Sequence, residues 1–165
     1  MANPTPPSSA SAFYKALHAT TIEFIRAQDQ DVSTPNRMDF DRIKAIRSTT
    51  GFEHSWGHNY LVSTNLPMSG THDADSFIKH LGSMIPLLES WDTEITDIAI
   101  DELQRKAVVR GSYFMKPKGS PEAVENDLVW YLTMEEDGKK VQKSIEFLDG
   151  AAVQRMKELM MMGKN

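Results

Sequence analysis

Phe52-Glu53-His54-Ser55-Trp56-Gly57-His58-Asn59-Tyr60 carries a ring at every even position. Strict alternation marks a strand, because successive side chains point to opposite faces of the pleat. One face of this strand therefore holds Phe52, His54, Trp56, His58 and Tyr60. A strand that serves only a core is filled with Val, Ile or Leu. Two imidazoles, which exchange protons near neutral pH, set among three aromatic rings describe the wall of a cavity for an organic molecule. The strand is read as running on into Leu61-Val62-Ser63.

Working outward, Ser11 to Gln28 is predicted to be a helix, with Phe13, Leu17, Phe24 and Ile25 along one stripe. Arg37 to Arg47 reads as a second, shorter helix with Phe40, Ile43 and Ile46 inward. Beyond the ring-bearing strand, Thr71 or Asp73 caps a third helix that runs to about Trp91, and Pro86 kinks it or ends its regular part. Strands follow over Thr93 to Ile100, Lys106 to Lys116, Asn126 to Met134 and Lys140 to Asp149. Glu136-Asp137-Gly138 forms the last hairpin turn, and Ala151 to Met162 a closing helix. The order α-α-β-α-β-β-β-β-α predicts an α+β domain: helices on one face of a curved antiparallel sheet, with a ligand pocket between them.

The chain has 165 residues, 40% hydrophobic and 25% charged, which suits one domain over residues 11–163 after a disordered tail, Met1 to Ala10. That Pro/Ser/Ala-rich tail is no secretory signal, and no apolar run approaches the roughly 20 residues of a membrane span. A cytoplasmic location is expected, with no membrane partner. Cysteine is absent, which excludes disulfides, thiolate metal sites and cysteine nucleophiles. A net charge of -5 argues against nucleic acid. No nucleotide-binding glycine motif and no serine-nucleophile elbow is present, so no cofactor is expected.

The chemistry then falls to His, Tyr, Asp, Glu and Arg. His54 and His58 lie four residues apart, about 13 Å along a strand, too far to share a metal ion. Each either bonds to loop backbone or serves as a general acid or base at the cavity. His58 is the first choice, because Gly57 beside it leaves room for a ligand. Trp56 and Tyr60 either fill the core or stack on a flat substrate. Alternation turns Tyr113 inward, where a phenol holds an enolate or alkoxide oxygen. Asp127 shares a face with Tyr131, either at a solvated strand end or at the site. Glu146 is either on a wet outer face or a buried acid with a raised pKa. Arg47 and Arg37 either hold an anionic substrate oxygen or form surface ion pairs. Leu128, Trp130 and Leu132 give their strand a wholly apolar face, for the helices or for a subunit contact, and a homodimer is expected from it. The terminal Met156, Met160, Met161 and Met162 pack, lid the cavity or join that contact.

Several segments together resemble a family: Ile46-Arg47-Ser48 before the first strand, Phe52 to Ser63, and the ending Leu128-Val129-Trp130-Tyr131, Asp137-Gly138-Lys139-Lys140-Val141 and Glu146-Phe147-Leu148-Asp149. Over roughly Phe13 to Met160 the chain resembles the nuclear-transport-factor-2-like (NTF2-like) cone fold. More closely it resembles the SnoaL-like polyketide cyclases and related fungal isomerases of secondary metabolism. The resemblance implies a cofactor-independent isomerase or cyclase acting on a hydrophobic polycyclic intermediate, a polyketide, terpenoid or alkaloid. Bacterial cyclases of this kind carry a His and then an acid on the last strand; the matching positions here are Ser144 and Glu146. The architecture also resembles scytalone dehydratase. A dehydratase, or a non-catalytic ligand-binding or dimerising module, is the alternative on the same fold.

Overall fold

In the computed structural model, which describes residues 3–162, five strands form one sheet in the order β1-β5-β4-β3-β2. Met1 and Ala2 of the expected tail, and Gly163 at the end of the expected domain, lie outside the described residues. Helix α1 (Ala12–Arg26) starts at Ser11, whose side chain accepts from the Tyr14 N–H. Its buried stripe is Leu17, Thr21, Phe24 and Ile25. Helix α2 (Phe40–Ala45) is capped by Asp39, and α4 (Ala74–Met84) by Asp73. These caps satisfy amide groups that have no partner within the helix. Pro86 sits in a 3-10 turn, Ile85–Leu87, that ends the regular helix as the sequence predicts. The strand β2 then begins at Leu88 and runs to Asp101, so the helix expected to reach Trp91 is shorter and the strand longer.

Strands β2, β3 (Lys106–Pro117), β4 (Val124–Met134) and β5 (Val141–Phe147) form an antiparallel meander. Between Ile95 and Asp97 the register of β2 on β3 shifts, which bends the strand pair. Gly111 faces this bulge, and a Cβ there would stand 3.0 Å from the Glu94 carbonyl oxygen. The sheet is mixed, not antiparallel throughout: β1 (Glu53–Trp56) pairs with β5 in parallel, His54 opposite Ser144 and Trp56 opposite Glu146. It is open and curved, and its concave face meets α1, α4 and the C-terminal helix α5 (Gly150–Met162). Asp149 caps α5 through the Ala151 and Ala152 amides.

The ring-bearing strand is shorter than its alternation suggests. The Gly57 N–H donates to the Glu146 carbonyl at 2.7 Å, and there the pairing ends. His58 is left-handed, with φ of 58°, and the chain turns into the short helix α3 (Asn59–Ser63). Ser63 and Thr64 hydroxyls and the Asn65 amide donate to carbonyls of Tyr60 and Leu61, offering this segment a helical turn in place of a ladder. The room predicted beside Gly57 is occupied by the Phe147 ring: a Cβ at Gly57 would stand 2.2 Å from two of its carbons.

On β4 the inward residues are Asn126, Leu128, Trp130, Leu132 and Met134, all buried. Trp130 is 1% exposed and meets the Phe24 ring edge-on at 5.2 Å. This apolar face lies under the helices. It does not supply the open surface on which the homodimer expectation rests.

Gly57→Ala is expected to lower stability by about 1–3 kcal/mol, the range for an overpacked site, read as a lower urea midpoint. Phe147→Leu in the same chain is expected to restore part of the loss. A Gly57→Ala midpoint equal to that of the unaltered chain would contradict this packing.

Candidate active site

Between the concave sheet face, α4 and α5 lies a cavity of about 530 Å³. Its walls are apolar: Trp56, Phe77, Leu81, Leu88, Trp91 and Leu128, joined by six methionines, Met38, Met68, Met84, Met115, Met156 and Met160. A few polar groups are set into this surface, namely Gln28, Asn65, His80, Ser83, Tyr113, Asn126, Glu146 and Lys157. An apolar chamber with few convergent polar groups is the usual form of a small-molecule site.

The inward positions 144 and 146 of β5 are polar, and both are buried. Burial pushes the Glu146 carboxyl up to about 8, while the Trp56 indole and the Arg47 guanidinium pull it down. At neutral pH it is a neutral acid poised to ionise, because charge is disfavoured where water is excluded. His54 comes from the neighbouring strand. Its Nδ1 lies 2.9 Å from Ser144 Oγ, and its Nε2 stands 4.0 Å from Glu146 Oε2 without a hydrogen-bond partner. Burial, aided by the Arg47 charge, lowers its pKa to about 2. With the imidazole and the carboxyl both uncharged at neutral pH, this contact is not an ion pair.

Tyr113 points inward as alternation predicts, and its hydroxyl is buried without a partner. Burial, and then the nearby Glu146, raise its pKa above the ordinary phenol value, so it remains a hydrogen-bond donor. Trp130 Nε1 is likewise buried and unpaired. Behind this floor lies Arg47. Its Nη1 donates to the Ile43 carbonyl at 2.6 Å, and its guanidinium sits 4.5 Å from the Phe24 ring centre, 5.1 Å from Phe52 and 4.7 Å from Phe77. Burial brings its pKa down to about 9, with Tyr113 and Glu146 drawing it up, so it keeps its charge at neutral pH. Among the described residues no group of three metal-ligating side chains comes together.

His54, Trp56, Tyr113, Glu146 and Arg47 therefore converge, although they are distant in the chain. The other five residues singled out by sequence do not join them. His58 is exposed and packs edge-on against Phe147 at 5.2 Å, outside the cavity, because its left-handed backbone turns it away. Tyr60 is 84% exposed on α3, since the strand has already ended. Asp127 and Tyr131 lie on the outer face of β4, where Asp127 pairs with Arg110 at 2.9 Å and Tyr131 is 47% exposed. Arg37 donates to the carbonyls of Ile85, Leu88 and Glu89 and stacks over Trp91 at 5.3 Å, bracing the start of β2.

Sequence reasoning passed over His80 and Asn126. His80 lines the cavity from α4, with its ring 4.9 Å from Trp56, and burial lowers its pKa. It stands three residues after Phe77 and four before Met84, on the same helical stripe, and that spacing was available to find it. Asn126 is buried at the inward start of β4 and accepts the Asp149 N–H at 3.0 Å. At the C-terminus, Met156 and Met160 face the cavity while Met161 and Met162 are exposed.

No family model matches the chain, and no curated protein matches its sequence. Solved structures do share its fold. The BvnE pinacolase from Penicillium brevicompactum aligns at 13% identity with a TM-score of 0.75, covering 94% of this chain and 99% of its own. A protein from Jannaschia described as a SnoaL-like polyketide cyclase aligns at 13% identity and a TM-score of 0.64, over 91% and 96%. An NTF2-like protein of unknown function from Burkholderia pseudomallei gives 14% and 0.65, over 86% and 96%. The chain has the NTF2-like cone fold, as its sequence resemblance implies.

The Glu146 shift has a stability consequence. As pH rises from about 4.5 towards 8, the unfolded chain releases this proton and the folded chain keeps it, so folding loses stability over that window. Glu146→Gln removes this loss. Denaturation at pH 5 and pH 8 is expected to show the variant gaining on the unaltered chain as pH rises; a constant difference between the two would mean that Glu146 ionises normally.

Proposed function

We propose that this chain is a cofactor-independent isomerase or cyclase that works on a hydrophobic polycyclic small molecule by general acid–base catalysis. One observation carries the reading: a carboxyl, Glu146, set in an apolar cavity with its pKa raised to about 8. Catalytic acids and bases are tuned in this way to work near neutral pH. Likeness of fold to proteins described as a pinacolase and a polyketide cyclase supports the class.

The residues divide the work as follows. Protonated Glu146 gives its proton to a carbonyl oxygen of the substrate. The Tyr113 hydroxyl donates a hydrogen bond to the same oxygen as charge develops on it. Glu146 is left as a carboxylate, which the Arg47 charge behind it favours. That carboxylate takes a proton back from the rearranged substrate, and the cycle closes with no net change in protons or electrons. His54, held by Ser144, keeps a neutral imidazole beside the carboxyl and so limits the orientations open to it. Trp56, Phe77 and Trp91 present flat apolar surface to the rings of the substrate.

Disrupting the gene and comparing metabolites is expected to reveal an accumulated polycyclic compound that the purified protein converts to an isomer of equal mass. A product lighter by one water would establish a dehydratase instead, and an accumulated compound that binds unchanged would establish a binding module. On the converted compound, Glu146→Gln is expected to lower kcat by about 10²–10⁴-fold, the usual contribution of a proton-transfer group. As the reactive form is the protonated acid, kcat/KM is expected to fall as pH rises through about 8. A Glu146→Gln variant with an unchanged rate would remove the carboxyl from the chemistry.

A further inference from the structure

Val153, Met156, Lys157 and Met160 are the residues of α5 that line the cavity. They fall at the i, i+3, i+4 and i+7 positions of one helical stripe. Three are apolar; the fourth, Lys157, is exposed and brings an ammonium group to the mouth of the chamber. The arginine of the same helix is neutralised: Arg155 pairs with Glu122 at 3.2 Å and with Glu158 at 3.6 Å. Lys157 has no carboxylate within ion-pair distance among the described residues. Its one polar partner is Asn65 Oδ1, on the opposite rim after α3.

Asn65 is oriented to present that oxygen. Its Nδ2 donates to the Leu61 carbonyl at 2.8 Å and lies 3.3 Å from Thr64 Oγ1. A neutral amide oxygen occupies one of the three ammonium donors and leaves the charge uncompensated. The remaining donors stand at the edge of an apolar chamber whose only carboxyl among the described residues, Glu146, belongs to the inner sheet face.

We propose that Lys157 is a substrate-recognition residue, and that the molecule taken up by this cavity is a fused-ring carboxylic acid. Its rings fill the apolar chamber, and its carboxylate meets the Lys157 ammonium beside Asn65. The inference deepens the function proposed above and rests on its placing the substrate in this cavity.

The test is binding of a matched pair of probes to the full chain, 1-pyrenebutyrate and the neutral 1-pyrenebutanol, followed by pyrene emission. At low ionic strength the acid is expected to bind about tenfold more tightly than the alcohol, the scale of one charge-assisted hydrogen bond. Added salt should narrow that gap. Lys157→Gln keeps a donor for Asn65 but carries no charge; it is expected to bring the two affinities within about twofold without weakening the alcohol. Lys157→Arg is expected to retain the preference. Equal affinities in the unaltered chain, a preference that survives Lys157→Gln, or failure of both probes to bind would each overturn the proposal. A fully active Glu146→Gln variant that still prefers the acid would refute the acid–base reading and leave this one standing.

Discussion

The guanidinium of Arg47 is buried beneath three phenyl rings with a single carbonyl as its hydrogen-bond partner. Removing such a charge from water costs several kcal/mol. The rings return part of that, since a cation over a desolvated aromatic face gains about 2 kcal/mol or more. Because Phe24, Phe52 and Phe77 come from α1, the approach to β1 and α4, this one side chain ties together the elements that face the sheet. It also fixes the electrostatics of the cavity floor. No carboxylate sits within ion-pair distance of it among the described residues, so its field reaches Glu146 without neutralising it. The carboxyl is held between two influences of opposite sign, burial favouring the acid and Arg47 favouring the anion.

Strand register delivers the remaining groups. Parallel pairing of β1 with β5 sets His54 beside Ser144 and Trp56 beside Glu146, so two short polar segments distant in sequence share one floor. Antiparallel pairing of β3 with β4 brings Tyr113 opposite Asn126 at the same end of the sheet. Each residue alone is an ordinary inward position. A shift of one residue along β5 would turn Glu146 to the outer face and Phe147 to the inner one, since side chains alternate.

Much of the cone was legible because its elements carry strong periodic and capping signals. Pro86, Asp73 and Asp149 mark ends that the fold respects. What alternation did not disclose was where β1 stops, because His58 and Tyr60 keep the period of two after the backbone has left the strand. Likewise Asp127 and Tyr131 share a face with each other, and only the packing of Trp130 against Phe24 of α1 and Phe77 of α4 decides that theirs is the outer one. Glu146 posed the same ambiguity on β5, resolved by its parallel partner. Arg37 was visible as a cation, yet its three backbone acceptors come from residues about fifty positions away and leave no local trace.

The two sides of the chamber differ in material. Trp56, Tyr113 and Leu128 on the sheet stand on a hydrogen-bonded ladder, whereas the helical and loop side supplies Met38, Met68, Met84, Met156 and Met160. Methionine has three rotatable bonds and no branch, so it fits many outlines at little cost. The sheet side of the chamber is therefore the more rigid and the helical side the more adaptable, Met115 of β3 apart. The same thioethers make the chamber vulnerable to oxidants: conversion to sulfoxides would plant strong dipoles in a wall whose affinity depends on being oily. An oxidative burst would thus make the chamber polar without touching Glu146.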